Sequence, residues 1–224
     1  MTQPVCLDID MTMPPGEPEH DPDLERIGRR NEHGWSPLYS AAFSGDLEQV
    51  RSLLTLGAAA DDDPPPLAAA CWSSGDEATE PIIDALVAAG ADPFRTDDAG
   101  WSLLHAALMP YNHGRGYASS DGPNLPAARA LVRHGAAPDT PGPGGVTALM
   151  LVAGDGAIDA LDLLLAAGAD PARRDEDGHS ALDHARDSER RLTDVQATAT
   201  AETTDAVRRF RDRVSACATR LAGH

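Results

Sequence analysis

A Gly-Ala motif that ends an apolar helical pattern returns at a nearly constant spacing along this 224-residue chain. Its glycines are Gly57, Gly90, Gly135 and Gly168, which are 33, 45 and 33 residues apart. Before Gly168, apolar residues recur at three- and four-residue steps, which predicts a helix with one apolar face that ends at this glycine. A period of this length predicts a stack of similar units, because each unit buries its apolar face against its neighbours.

A leucine that opens the next pair of helices is the second landmark, and it occurs at Leu38, Leu67, Leu104, Leu149 and Leu182. From this leucine to the closing glycine the chain runs 19 residues in units one and four, 23 in unit two and 31 in unit three. We therefore predict that 4 and 12 extra residues lie between the two helices of units two and three. The longer insertion, at 110–123, is either a functional loop or a neutral insertion, and the sequence leaves both open.

A unit that reads Gly-x-Ser/Thr-Pro/Ala-Leu-x-x-Ala-Ala and then Leu-Leu-x-x-Gly-Ala-Asp resembles the ankyrin repeat. The residues that carry the resemblance lie between about 31 and 186, namely 34–38, 41–42, 53–54, 57–58, 88–93, 100–107, 147–149 and 166–170. The resemblance, to a bacterial-type ankyrin protein, implies an all-α solenoid of stacked helix-turn-helix units with short hairpin loops. We expect a repeat domain at 23–186, with repeats at about 31–60, 61–93, 97–139, 142–171 and 175–198.

The two ends of the chain depart from the repeat pattern. Residues 1–22 are acidic and proline-rich without periodicity, which predicts a flexible tail. At the other end we expect a long helix at about 180–198 and a last helix at about 203–221, within a capping segment 199–224. That last helix has a stripe of Val207, Phe210, Val214, Cys217 and Leu221, spaced 3, 4, 3 and 4 residues. The stripe is expected to cap the final repeat, with a dimer seam as the alternative.

The net charge of the chain limits the classes of partner that it can bind. Thirty-six acidic residues against 18 basic ones give a net charge of −18, which repels nucleic acid and favours a basic protein partner. No apolar stretch approaches the length of a membrane span. Cys6, Cys71 and Cys217 have no ligand spacing and are expected to be reduced thiols. These features, and an amino terminus unlike a signal peptide, predict a cytoplasmic monomer that contacts neither membrane nor nucleic acid.

No residue pattern indicates an enzyme, a cofactor site or a metal site. For His105, the resemblance implies a structural hydrogen bond to a neighbouring hairpin. His179 and His184 lack the spacing of a helical metal pair. Residues 61–63, three aspartates before three prolines, are interpreted as a solvated acidic turn rather than a calcium loop. Neither a nucleophile motif nor a phosphate-binding glycine loop is present.

The resemblance implies that partner contacts come from hairpin positions beside the glycine and from residues after the Ala-Ala pair. Large aromatic side chains at such positions are typical of binding hot spots, although these rings could instead pack on adjacent hairpins. The predicted partner-binding residues are Trp35, Phe43, Trp72, Asp98, Trp101, Leu108, Met109, Tyr111, Arg115, Tyr117, Glu176 and Asp177.

We therefore interpret the protein as a non-enzymatic interaction module that binds a basic protein, with an inhibitor or immunity-type protein as the specific hypothesis. One alternative is an enzyme or small-molecule binder that uses the loop between Tyr111 and Tyr117 with His105 or His113. Another is a structural element of a larger assembly.

Overall fold

The computed structural model of this protein describes residues 27–73, 77–109, 122–198 and 201–223. Ten α-helices lie within these ranges, together with one 3-10 turn at Pro143–Gly145. The helices are α1 Pro37–Ser44, α2 Leu47–Thr55, α3 Pro66–Cys71, α4 Thr79–Ala88, α5 Leu103–Leu108, α6 Leu125–Arg133, α7 Ala148–Gly154, α8 Ile158–Ala166, α9 Ala181–Thr198 and α10 Ala201–Leu221.

Several helix starts are fixed by a local signal in the sequence. Ser36 and Thr147 cap α1 and α7 by accepting hydrogen bonds from the backbone N–H groups of Tyr39 and Met150. A cap of this kind satisfies a backbone donor that has no partner inside the helix. At the end of α1, Gly45 has a φ of 75°, a left-handed conformation that ends the helix because glycine adopts it without strain.

The helices stack in two parallel rows. The first helix of each pair (α1, α3, α5, α7 and α9) packs against the first helix of the next pair, and the second helices form their own row. Alanine makes this close stacking feasible, since Ala42, Ala69, Ala70 and Ala128 are fully buried. This arrangement is the predicted all-α solenoid. We call the surface formed by the first helices and the hairpins that precede them the groove.

The leucines that open the helix pairs form the centre of the core. Leu38, Leu67, Leu104 and Leu149 are all nearly fully buried. Leu182, at the corresponding position of α9, is only partly buried. The extra residues of units two and three fall between α3 and α4 and between α5 and α6, as predicted, although residues 74–76 and 110–121 lie outside the described ranges.

Helix α10 covers the last repeat and begins two residues earlier than predicted. It packs against α9, α8 and α7, and this contact buries Val214, Cys217 and Leu221. Helix α10 lies very close to the turn before α8: a Cβ atom on Gly156 would be only 2.9 Å from the backbone nitrogen of Val214. Three of the five stripe residues are therefore covered within the chain and Phe210 is partly exposed, so the carboxy-terminal half of α10 packs as a helical cap.

The buried Asn124 joins repeats two and three after the long insertion. Its Oδ1 atom caps α6 by accepting a hydrogen bond from the backbone N–H of Ala127 at 3.0 Å. Its Nδ2 atom lies 3.2 Å from each of the carbonyl oxygens of Ala70, Cys71 and Ser73, where α3 ends. A single amide thus provides hydrogen-bond partners for a backbone N–H at the start of α6 and for carbonyl oxygens at the end of α3.

Candidate functional site

The hairpin before α5 is held in shape by one carboxylate. Asp97 Oδ1 accepts hydrogen bonds from the backbone N–H groups of Ala99 at 3.0 Å and Trp101 at 2.8 Å. Trp101 is therefore held at the hairpin by its own backbone. Equivalent bonds occur at Asn31 and Asp175. Sequence reasoning missed this role, although an Asn or Asp three residues before the hairpin glycine is a readable signal.

One face of Trp101 packs on the next hairpin. A Cβ atom on Gly142 would lie 2.7 Å from two carbons of the Trp101 ring, so only glycine leaves room for the indole. Gly142 occupies the position that Asn31, Asp97 and Asp175 take in the other hairpins. The sequence left open whether this ring packs on an adjacent hairpin. One face of the ring does so, while the residue as a whole stays partly exposed.

His105 connects the same two hairpins. Its Nε2 atom is 3.2 Å from the carbonyl oxygen of Val146, to which it donates, and its Nδ1 atom accepts from the Ser102 hydroxyl at 2.7 Å. The side chain is fully buried, and this burial lowers its pKa despite the bond to Val146. A buried neutral imidazole with both nitrogens occupied is structural, as the family resemblance implied.

The acidic turn at 61–63 is ion-paired as well as exposed. Arg30 of the first hairpin lies 2.7 Å from Asp62 Oδ1 and also donates to the backbone carbonyl of Asp63. Arg95, which precedes the third hairpin, lies 3.2 Å from Asp61 and 3.7 Å from Asp63. The interpretation as a purely solvated turn is therefore incomplete, because two arginines connect it to the hairpins on either side.

A cavity of about 100 Å³ opens between the first helices of repeats two and three and their hairpins. We call it the tryptophan cavity, because Trp72 from the end of α3 and Trp101 from the hairpin before α5 both line it. The structure thus brings three predicted site residues together, Trp72, Trp101 and Asp98. The other lining residues are Asp63, Pro64, Pro65, Ala68, Arg95, Thr96, Asp97, Ser102, Leu103 and Ala106.

Trp35 and Phe43 form a separate aromatic cluster on repeat one. The Trp35 ring centroid lies 5.6 Å from that of Phe43, 5.0 Å from that of Tyr39 and 5.2 Å from that of His33. Such tilted contacts are favourable between aromatic rings. Both Trp35 and Phe43 are partly exposed. The three tryptophans of the chain are therefore distributed over two surfaces of the groove.

The assignment of Leu108 to the surface is wrong, because its side chain is fully buried. Helix α5 ends at Leu108, and its last turn faces the core. Met109 follows with an extended backbone (φ −83°, ψ 119°) and is partly exposed. Tyr111, Arg115 and Tyr117 lie outside the described residues.

Glu176 and Asp177 lie exposed at the tip of the hairpin before α9 and do not line the tryptophan cavity. The backbone N–H of Glu176 donates to the carbonyl of Gly144 at 2.8 Å, which connects this tip to the preceding hairpin. In the same hairpin, Asp175 Oδ2 is 2.8 Å from His184 Nε2. Burial acts to raise the pKa of Asp175, but bonds from the His179 backbone and from His184 hold it below its usual range.

Two acids of α4, Glu80 and Asp84, are paired with cations, unlike Asp98 in the groove. Arg133 bonds to Glu80 at 2.9 Å and to Asp84 at 2.8 Å, and His134 Nε2 lies 2.6 Å from Asp84. Partial burial acts to raise the pKa of Asp84, but these partners hold it below its usual range. Asp98, in contrast, has neither an ion pair nor a side-chain hydrogen bond with any residue that the structure describes. Uncompensated negative charge is thus present at the tryptophan cavity.

The family model described as ankyrin repeats (many copies) matches residues 131–185, which run from the end of α6 through α7 and α8 into α9. Residues 131–185 are therefore identified as ankyrin repeats, and the helix pairs that precede them stack in the same way. Proteins of this family generally mediate protein–protein interactions and are generally not enzymes. None of the curated proteins matches this sequence.

Among the helices that the structure describes, none combines the length and apolar character needed to cross a membrane.

Proposed function

We propose that this protein binds a basic protein partner through its groove and hairpin tips and performs no chemistry of its own. The observation that carries the proposal is the tryptophan cavity, where two indole rings and an uncompensated carboxylate meet between adjacent repeats. Large aromatic side chains at a partly exposed cavity supply apolar contact area at a small cost in conformational entropy, and such residues dominate the energetics of many interfaces.

Electrostatics supports a basic partner. The net charge of the chain is −18, and Asp63, Asp97 and Asp98 line the cavity together with a single cation, Arg95. Negative charge around an apolar centre accelerates encounter with a positively charged surface and disfavours acidic competitors. We therefore expect association to slow as salt is added, since the Debye length shortens from about 10 Å at 0.1 M to about 3 Å at 1 M ionic strength.

Within this function we propose an inhibitor or immunity-type role, in which the acidic groove covers a basic toxin or enzyme. The support is the size of the net charge and its uncompensated part at the hairpins. We further propose a cytoplasmic monomer, since α10 buries Val214, Cys217 and Leu221 against its own chain and the buried Cys71 and Cys217 are free thiols. Light scattering at increasing concentration tests the oligomeric state, and constitutive dimers would contradict it.

Comparative capture from native extract tests the proposed binding. The wild-type protein, Trp72→Ala/Trp101→Ala and the surface control Glu48→Gln in α2 would be immobilised side by side at the same density. We expect a basic protein that the wild type and Glu48→Gln retain and the tryptophan variant loses. Each tryptophan substitution should weaken binding by about 2 kcal/mol if these rings are hot spots. Retention of acidic proteins alone, or equal retention by all three baits, would contradict the proposal.

The alternative of an enzyme or small-molecule binder depends on the loop between Tyr111 and Tyr117, which lies outside the described residues. It stays a prediction. Loss of a measured activity in His113→Ala/Arg115→Ala, with activity intact in Trp72→Ala/Trp101→Ala, would favour it.

A further inference from the structure

We infer that the tryptophan cavity takes one arginine side chain of the partner, with its guanidinium against an indole ring and paired to Asp98. This inference rests on the proposed function and names the chemical group that the groove recognises.

The size of the cavity limits its occupant to a single side chain. Its volume is about 100 Å³. Sites for small organic ligands are larger, typically about 300–1,000 Å³. Its apolar part is formed by Ala68, Leu103 and Ala106 together with the two tryptophans. A long side chain with an apolar stem and a polar tip suits this combination, because the stem can lie on the apolar wall.

The charged part of the cavity favours a cation at that tip. Three carboxylates and one guanidinium line it, so the lining carries more negative than positive charge. Two of the carboxylates are already engaged, since Asp97 holds the hairpin backbone and Asp63 lies 3.7 Å from Arg95. Asp98 has no such side-chain partner among the residues that the structure describes, so both of its oxygens can accept hydrogen bonds. An acidic or neutral side chain would leave this charge uncompensated.

The protein's own Arg95 indicates that a guanidinium suits this environment. It lines the cavity and is held by Asp61 and Asp63 from the neighbouring repeat. Arginine fits better than lysine, because a planar guanidinium stacks on an indole face and also matches a carboxylate with two parallel donors. A lysine ammonium is more strongly hydrated and offers neither geometry.

Nuclear magnetic resonance on the full chain tests the inference, because each tryptophan gives one indole Nε1–H signal. The probe is the capped peptide acetyl-Gly-Arg-Gly-amide, and the matched control replaces arginine with citrulline, which has nearly the same shape and no charge. We expect saturable shifts of the Trp72 and Trp101 signals with the arginine peptide, in the millimolar range, and weaker binding of the lysine peptide. The Trp35 signal, from the separate aromatic cluster, should not move.

Two charge variants sharpen the test. Asp98→Asn should weaken binding of the arginine peptide by about two- to fivefold, as expected for one partly exposed ion pair. Glu48→Gln in α2 changes an exposed acid outside the cavity and should leave the affinity unchanged. Matching thermal unfolding curves would show that both variants fold. Shifts that do not saturate, equal shifts with citrulline, or equal losses in both variants would overturn the inference.

Failure of this inference is distinguishable from failure of the proposed function. If capture yields a partner that needs Trp72 and Trp101 but the arginine peptide does not bind, the arginine subsite is refuted and the binding function stands. If the peptide binds but no protein is retained, the subsite stands and the proposed function loses its support.

Discussion

Asn124 gives the sharpest test of how the repeats are held together. At this position, aspartate should destabilise the protein more than alanine does, which is the reverse of their usual order as helix N-cap residues. Replacing Asn124 with alanine removes the cap of α6, which costs about 1 kcal/mol. It also removes the donors to three carbonyl oxygens at the end of α3, which we expect to cost a further 1–2 kcal/mol or so, because these groups are buried. The expected loss for Asn124→Ala is therefore about 2–3 kcal/mol in the free energy of unfolding.

Aspartate at the same position should be worse than alanine. In an exposed helix, aspartate caps about as well as asparagine. Here, however, its second oxygen would lie about where Nδ2 now meets the carbonyls of Ala70, Cys71 and Ser73, at 3.2 Å. A desolvated carboxylate facing three acceptors has no compensation, so we expect a loss of at least about 3 kcal/mol at neutral pH. The loss should shrink in acid, where the protonated carboxyl donates a hydrogen bond.

Urea unfolding followed by circular dichroism at pH 7 measures both losses, and Asp46 supplies the matched control. Asp46 caps α2 at the equivalent place in repeat one, with an exposed side chain that accepts from the Gln49 N–H. Asp46→Asn should be nearly neutral and Asp46→Ala should cost about 1 kcal/mol. If Asn124→Asp proves as stable as Asn124→Ala, or more stable, the assignment of Nδ2 as an inter-repeat donor is refuted.

Four further predictions follow from the same structure. Gly142→Ala should destabilise the fold by about 1–3 kcal/mol and change tryptophan fluorescence, because its Cβ would collide with the Trp101 ring; Gly28→Ala, with nothing within 4 Å, should do neither. The lowered pKa of His105 means that the neutral imidazole stabilises the fold fully above the unfolded value of about 6.5 and progressively less below it. The free energy of unfolding should therefore decrease less from pH 7.5 to pH 5.5 in His105→Gln than in the wild type. An equal decrease in both proteins would contradict this. Ala157→Asn should stabilise the protein by about 0.5–1 kcal/mol in a urea titration, because Ala157 provides no side-chain cap to α8 while its backbone (φ −87°, ψ 79°) matches that of the capping Asp46. Burial raises the pKa of the Cys71 thiol to about 12 and that of Cys217 to about 11, so both should react with a thiol reagent only after urea unfolding, and rapid labelling of the native protein at either position would refute this.

The helix pairs and their order could be predicted from the sequence, because the signals that specify them are local. A capping Ser36 or Thr147 and a helix-ending glycine act within a few residues. Burial of Leu38, Leu67, Leu104 and Leu149 follows from the same period. The repeat also placed Trp101 directly after the hairpin glycine.

Contacts between repeats could not be predicted, since no local pattern encodes them. Sequence reasoning placed Leu108 in the groove because it follows the Ala-Ala pair, whereas α5 ends at this residue and its side chain is fully buried. The ion pairs of residues 61–63 and the meeting of Trp72 with Trp101 at one cavity depend on how two shortened or lengthened units stack. The departures from the period are therefore where the candidate site arises.

The fit between Trp101 and Gly142 limits how these units can be rearranged in evolution or by engineering. A repeat bearing a bulky ring at this position requires a successor without a β-carbon at the facing position. Deleting unit four or duplicating unit three would bring the ring against a hairpin with an aspartate at this position, whose Cβ atom would collide with the ring. The third and fourth units must consequently be kept together when repeats are rearranged.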